Sequence, residues 1–200
     1  MEDIMGTKKF PFQTILTWYQ HNGRHDLPWR QVYEKPIKER LYKVWIAEVM
    51  LQQTQVDRVI WFYNRFLVKY PTIESLASTT YDELFPYYQG LGYYWRARRM
   101  IELAKNVVEK YGWVFPDNFE KLRPLPWIWA YTAQALLAFG YDKPSLAMDA
   151  NLVKIFSRYY FGNRYETLSE KMIEELEAQL KKENISGRQM NNALMDFWAL

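Results

Sequence analysis

Cysteine is absent from all 200 residues. No disulfide can form within them, and no site built on thiolate ligands can either. Excess charge is scarce as well: 26 Lys and Arg stand against 23 Asp and Glu, a formal net charge of +3. So small a surplus makes no global field, and binding to a polyanion would need local basic patches. Arg96, Arg98 and Arg99 form one such patch in sequence. No apolar run reaches the roughly 20 residues that span a bilayer, and the first ten residues, MEDIMGTKKF, lack the apolar stretch of a signal peptide. The default expectation is an intracellular, cytoplasmic protein without a membrane partner. Low-complexity linkers and alternating strand ladders are also missing.

What the chain does have is apolar surface: 49% of residues are hydrophobic and 18% aromatic. That excludes a disordered chain and is enough for one domain or two small intertwined lobes. Apolar residues recur at three-to-four spacing in FQTILTWYQ, LYKVWIAEVML, VDRVIWFYNRFLVKY, RRMIELAKNVVEKY, AYTAQALLAF, ANLVKIFSRYY and LSEKMIEELEAQLKKE. Punctuation falls between them at Pro71, Gly90, Gly92, Pro116, Pro124, Pro126, Pro144 and Gly187. This pattern predicts an all-α fold of helices joined by short loops.

Two carboxylates are unusual in context. Glu48 lies between Ala47 and Val49 on a strongly apolar helix, where an acid is costly unless paired or proton-bearing. A proton-bearing carboxyl suits general-acid work, although most helix glutamates are simply solvated. Asp149 stands just before the apolar helix ANLVKIFSRYY, the place of an ordinary N-cap. Tyr131 opens the helix AYTAQALLAF, eighteen residues earlier.

These residues sit in segments that together resemble a known family. LPWIWAYTAQALLAFGYDKPSLAMDAN (125–151) is similar to the helix-hairpin-helix motif and following aspartate of the DNA glycosylase superfamily that includes endonuclease III. VWIAEVMLQQTQV (44–56), DLPWR (26–30), QGLGYYWRAR (89–98) and NNALMDFWAL (191–200) resemble the adenine-excising MutY type, in that family's order and over nearly the whole chain. The resemblance implies a helix-hairpin-helix glycosylase fold of two helical lobes with the active-site cleft between them. Residues 31–143 would form the central lobe and 1–30 with 144–200 the second. It implies a monomer that acts on mismatched double-stranded DNA, removing adenine opposite 8-oxoguanine or guanine by hydrolysis.

Roles follow by the same resemblance. Glu48 would protonate adenine N7, and Asp149 would stabilise the cationic sugar or bond to it. Tyr131 replaces the lysine of bifunctional relatives and cannot form an imine, so base release should occur without strand cleavage. Trp29, Leu51, Asn151 and Asn192 would line the base pocket; Asn192 is shorter than the Gln or Glu usual there, and His25 replaces a frequent arginine. Gln53 and Thr54 would meet the opposite base, Leu91 and Tyr93 would wedge into the stack, and Arg96, Trp127 and Trp129 would lie along the DNA.

The chain departs from the family in two ways. Trp113, Trp127, Trp129 and Trp198 fall where the family has glycine, and the hairpin pattern LPGxGxYTA here reads LPWIWAYTA. A single cause is more economical than four independent changes: a UGA codon that some genetic codes read as glycine, translated as tryptophan; the alternative is a genuinely diverged or inactivated protein. Indoles in the hairpin would obstruct the approach of backbone N–H groups to a phosphate, so compromised activity is expected. The four-cysteine iron–sulfur loop and the 8-oxoguanine-recognition domain that follow in the family are not in these residues, so the expectation is either a fragment or a cluster-free, single-domain lineage, with the apolar ending NNALMDFWAL favouring a fragment. No cofactor or metal is expected in this chain. Two rival readings remain: a thymine- or uracil-mismatch glycosylase, which shares Tyr131 and Asp149, and a DNA-binding module without catalysis. EVMLQQTQ speaks against the first and the intact carboxylates against the second.

Overall fold

The apolar periodicities become helices. The computed structural model describes residues 8–163 and 166–199, in which eleven α-helices and no strand are present. Residues 1–7, most of the segment read as lacking a signal core, lie outside the described residues, as does Leu200 at the end of NNALMDFWAL. The helices are α1 (Phe12–Asn22), α2 (Ile37–Leu51), α3 (Val56–Lys69), α4 (Ile73–Ala77), α5 (Tyr81–Tyr88), α6 (Trp95–Tyr111), α7 (Phe119–Leu122), α8 (Ala130–Ala135), α9 (Ala150–Phe161), α10 (Glu170–Lys182) and α11 (Gly187–Ala199). A 3-10 turn covers Pro28–Arg30, and a π-helical turn, Leu136–Gly140, continues α8.

Three short helices, α4, α5 and α7, had no periodic signal and open on side-chain caps, the simplest being Asn118 Oδ1 accepting from Lys121 N at α7. The Thr72 hydroxyl accepts from Ser75 N while Ser75 Oγ accepts from Thr72 N, a reciprocal box at the start of α4. Thr80 and Glu83 repeat it at α5. Each box satisfies two donors that a new helix would otherwise leave open.

The chain divides into two units by its internal contacts: residues 25–136, and residues 1–24 with 137–200. The boundaries differ from those expected at 30/31 and 143/144. Residues 25–30 stay with the first unit because Trp29 packs edge-to-face on Tyr63 and Gln31 Nε2 bonds His25 O. Residues 137–143 join the second because they are tied to the start of α11. Arg188 Nε donates to Phe139 O, and Asp142 Oδ1 accepts from Ser186 Oγ and Arg188 N. A Cβ at Gly187 would lie 1.8 Å from Lys143 O, so only glycine fits there.

In the 25–136 unit, α2, α3, α6 and the α7–α8 hairpin bury Leu41, Tyr42, Trp45, Ile46, Met50, Phe66, Met100, Leu103 and Leu122. Each such side chain contributes about 1.5–3 kcal/mol on removal from water. In the other unit, Phe10 sits among Phe12, Phe156 and Tyr159 at ring separations of 4.7–4.9 Å, over a cluster that includes Leu152, Leu176, Leu180, Met190 and Leu194. Amphipathic α9, α10 and α11 supply most of it.

Candidate active site

Glu48 lies on the buried face of α2 with 7% of its surface exposed. A carboxylate this enclosed needs a polar partner. Tyr131, in the first turn of α8, donates its hydroxyl to Glu48 Oε2 at 2.7 Å. The pair therefore joins a buried carboxyl group to a phenol, not to an amine. Trp29 is buried against Tyr63, and Leu51 is half-buried at the end of α2.

The loop after α2 and the loop before α6 carry the residues expected to meet DNA. Gln53 is exposed and Thr54 half-buried; Tyr93 is 47% exposed. Gln53 and Tyr93 both hold left-handed backbone, at φ 55° and 50°. Leu91 departs from the expected wedge, being buried at 4% exposure. It sits between two glycines, Gly90 and Gly92, that supply the positive φ of the turn.

Arg96 requires a correction. It is not a surface cation facing DNA: 2% of it is exposed, and its guanidinium donates to backbone carbonyls of Val49, Gln52 and Gly92. Burial pulls its pKa below the ordinary arginine value, opposed by Tyr88 and Tyr93. Three neighbouring arginines read as one patch in sequence, but helical geometry turns Arg96 inward and leaves Arg98 outside.

The hairpin between α7 and α8 is pinned from within by Leu122, Leu125 and Ile128, all buried. Leu125 N bonds Leu122 O at 3.0 Å, Ile128 N bonds Leu125 O at 3.2 Å, and Arg123 Nη1 donates to Ile128 O at 2.6 Å. Trp127 and Trp129 point outward. Trp127 has φ 65°, whereas Trp129 has an ordinary extended φ of −80°. The Trp127 indole N–H donates to Glu102 Oε2 at 2.6 Å, and its ring covers the Arg99 guanidinium at 3.6 Å, with Trp95 also 3.9 Å from it. It thus engages two charged groups beside the hairpin. Trp113 follows the left-handed C-cap Gly112 and itself has φ 69°. Trp198 lies within α11, half-buried beside Lys154 and Arg158. Of the four tryptophans at family glycine positions, two therefore occupy backbone that favours glycine.

In the other unit Asp149 caps α9. Its Oδ1 accepts from Asn151 N at 2.9 Å and Leu152 N at 2.8 Å, and its Oδ2 accepts from Asn151 Nδ2 at 3.1 Å. Asn151 and Asp149 are thus brought together. Asn192 is buried on α11.

Sequence reasoning missed what holds the Asp149 segment. Asn191, fully buried, accepts from Ala147 N at 2.8 Å and donates to Ser145 O at 2.8 Å and Gly187 O at 2.7 Å. Glu177 accepts from Leu146 N and Ser145 Oγ, and burial raises its pKa despite these bonds. Asp196, 2% exposed, receives the Arg24 guanidinium and the Arg24 N–H. The available signal was polar residues inside an otherwise apolar helix. The iron–sulfur cluster implied by the resemblance takes four cysteine thiolates, and these residues supply none. Among the described residues no group of three or more His, Asp or Glu is placed to hold a metal ion, and no helix is long and apolar enough to cross a membrane.

A family model described as "HhH-GPD superfamily base excision DNA repair protein" matches residues 46–182. An adenine DNA glycosylase of Buchnera aphidicola subsp. Baizongia pistaciae is 39% identical over 193 residues, covering 94% of this chain and 52% of the relative. The chain therefore spans about half the length of that curated relative. A thymine/uracil-DNA glycosylase of Methanothermobacter thermautotrophicus is 30% identical over 203 residues, covering 100% of this chain and 88% of the relative. The solved structure of a thermostable thymine-DNA glycosylase superposes with a TM-score of 0.80 at 31% identity, covering 94% of this chain and 84% of that one.

Proposed function

This chain belongs to the HhH-GPD superfamily of base excision DNA repair proteins, and on that premise we propose that it is the catalytic core of an adenine DNA glycosylase. The observation that carries the reading is the Tyr131–Glu48 hydrogen bond of 2.7 Å. It pairs a buried acid with a group that has no amine to attack a sugar. Glu48 delivers a proton to N7 of adenine, and the bond between N9 and sugar C1′ breaks with its electron pair leaving on the base. Asp149 balances the positive charge that develops on the sugar. Water then adds to C1′ and gives up its proton, completing a hydrolysis. Without an imine, no strand cleavage accompanies base loss.

The partner is double-stranded DNA carrying a mismatch of adenine with 8-oxoguanine or guanine, met by the protein as a monomer. Gln53 and Thr54 face the opposite base, and Tyr93 enters the stack to offset part of the few kcal/mol that flipping costs. Trp113, Trp127 and Trp129 compromise the activity through strain and through the obstructed hairpin. A second reading, excision of mismatched thymine or uracil, is supported by the 30% identical relative and the 0.80 superposition. Single-turnover assays on duplexes with A·8-oxoG, A·G, T·G and U·G pairs decide between them, in the chain as it stands and with Trp113, Trp127, Trp129 and Trp198 changed to Gly. Release of adenine without nicking is the expected result. Release of thymine or uracil alone supports the second reading, and no release by the glycine-bearing form overturns both.

A further inference from the structure

The two non-glycine residues with left-handed backbone in the DNA-facing loops share a neighbour. Immediately before Gln53 is the carbonyl of Gln52, and immediately before Tyr93 is that of Gly92. Both accept from Arg96: Nη1 donates to Gln52 O at 2.7 Å and Nη2 donates to Gly92 O at 3.2 Å. Nη1 also donates to Val49 O at 2.7 Å, in the last turn of α2, where carbonyls have no helical partner ahead of them. The negative end of the helix dipole favours a cation at that point. The Tyr93 ring lies 5.1 Å from the same guanidinium.

A left-handed backbone at Gln or Tyr persists only where the surroundings fix it. A planar fork with donors on both arms can fix two separate carbonyls at once, whereas the single ammonium of lysine cannot hold the same directions. We infer that Arg96 is a positioning residue that locks the opposite-base loop and the stack-entering loop together, so that Gln53, Thr54 and Tyr93 present to DNA as one body. What the loops touch rests on the function proposed above; the lock itself does not.

The test uses Arg96→Lys and Arg96→Met in the full chain. Amide hydrogen exchange is followed in residues 52–56, 89–95 and, as a control, 123–129. Binding to mismatched and matched duplexes is measured over a salt series. Both loops should exchange at least about tenfold faster together in each variant, with the control segment unchanged. The preference for mismatched over matched duplex should fall, while affinity for matched duplex and its salt slope hold. Loosening of one loop or of neither overturns the lock. Loosening of both with an unchanged mismatch preference confines Arg96 to maintaining the fold and overturns the positioning role. A salt slope reduced by about one, with both loops tight, makes Arg96 a phosphate contact instead. If Arg96→Met does not fold, Arg96→Lys decides alone. If the form with Trp113, Trp127, Trp129 and Trp198 changed to Gly also shows no mismatch preference, the functional reading fails, and the exchange measurement still decides the lock.

Discussion

Six non-glycine residues adopt left-handed backbone among the described residues, and the two units differ in which residues they use. The unit of residues 137–200 with the N-terminal segment uses Asp142 and Asn184, side chains that tolerate this conformation through local hydrogen bonds. The 25–136 unit uses Gln53, Tyr93, Trp113 and Trp127, for which it is strained. The contrast extends to how each unit holds its carboxylate. Asp149 sits in a cap with three N–H donors, on a segment fastened by Asn191 and Glu177. Glu48 is buried opposite a phenol, close in sequence to a loop whose Gln52 carbonyl is held by Arg96. Unstrained capping thus characterises one unit and tension near the proposed DNA-reading loops the other, and strain of that kind is what functional loops retain.

The largest expected effects sharpen the contrast at the carboxylates. In a background with the four tryptophans changed to Gly, Glu48→Gln should lower single-turnover excision about 10²–10⁴-fold while sparing duplex affinity. Asp149→Asn should lose comparable rate, yet leave thermal stability nearly unchanged, because Asn caps a helix as well as Asp does. Asp149→Ala should lower both rate and stability. Near-normal turnover in Glu48→Gln or Asp149→Asn would remove that carboxylate from the mechanism.

Next in size is the fastening of the Asp149 segment. Asn191→Leu keeps bulk but strands Ala147 N–H and Ser145 C=O in the interior, at about 1–3 kcal/mol for each buried group left unpaired. Chemical denaturation should show a loss of that order, with no change in the slope against denaturant. A neutral result would mean that the capped unit is not held as tightly as its hydrogen bonds imply.

The helices were legible because burial imposes a 3.6-residue period that survives in single sequences. VDRVIWFYNRFLVKY became α3, and ANLVKIFSRYY became α9 with Asp149 as its cap. The α4 and α5 helices were not legible, since five and eight residues carry little period and their capping boxes open on Thr, which also marks turns. Candidate site residues could be named from the sequence, but their pairing could not be read. Nothing local in EVMLQQTQ shows that Glu48 meets Tyr131, because contacts across 83 positions leave no spacing to read. Arg96 was misread because charge in a basic run reads as surface. Its burial depends on carbonyls of another helix's end, which no periodicity reports.

The tryptophans offer a smaller test with opposite signs inside one set. Trp113→Gly and Trp127→Gly should each relieve strain of about 1–3 kcal/mol and raise the melting temperature. At Trp127 the gain is reduced by the lost bond to Glu102 and stacking on Arg99. Trp198→Gly should lower the melting temperature, since glycine inside a helix costs about 1 kcal/mol relative to alanine and the indole packs against the unit's core. Trp129→Gly, at an ordinary φ, should bring no stabilisation. Trp127→Gly with Trp129→Gly should also tighten duplex binding at fixed salt. Equal affinity would mean that the hairpin accommodates its indoles.

The smallest effect concerns pH and belongs to the capped unit. Burial raises the Glu177 pKa, and bonds from Leu146 N and Ser145 Oγ only partly oppose it. A carboxyl whose folded pKa lies above its unfolded one binds its proton more tightly when folded. Its contribution to stability is therefore complete below the unfolded pKa and is lost as pH rises through the folded value. Glu177→Gln cannot titrate, but its amide oxygen can still accept both bonds. The variant should gain on the parent as pH rises from about 4 to about 8, with the two converging at the acid end. A gap in melting temperature that instead widens toward acid would mean that the ionised form is favoured by the fold. In that case the bonds from Leu146 and Ser145, and not burial, would govern Glu177.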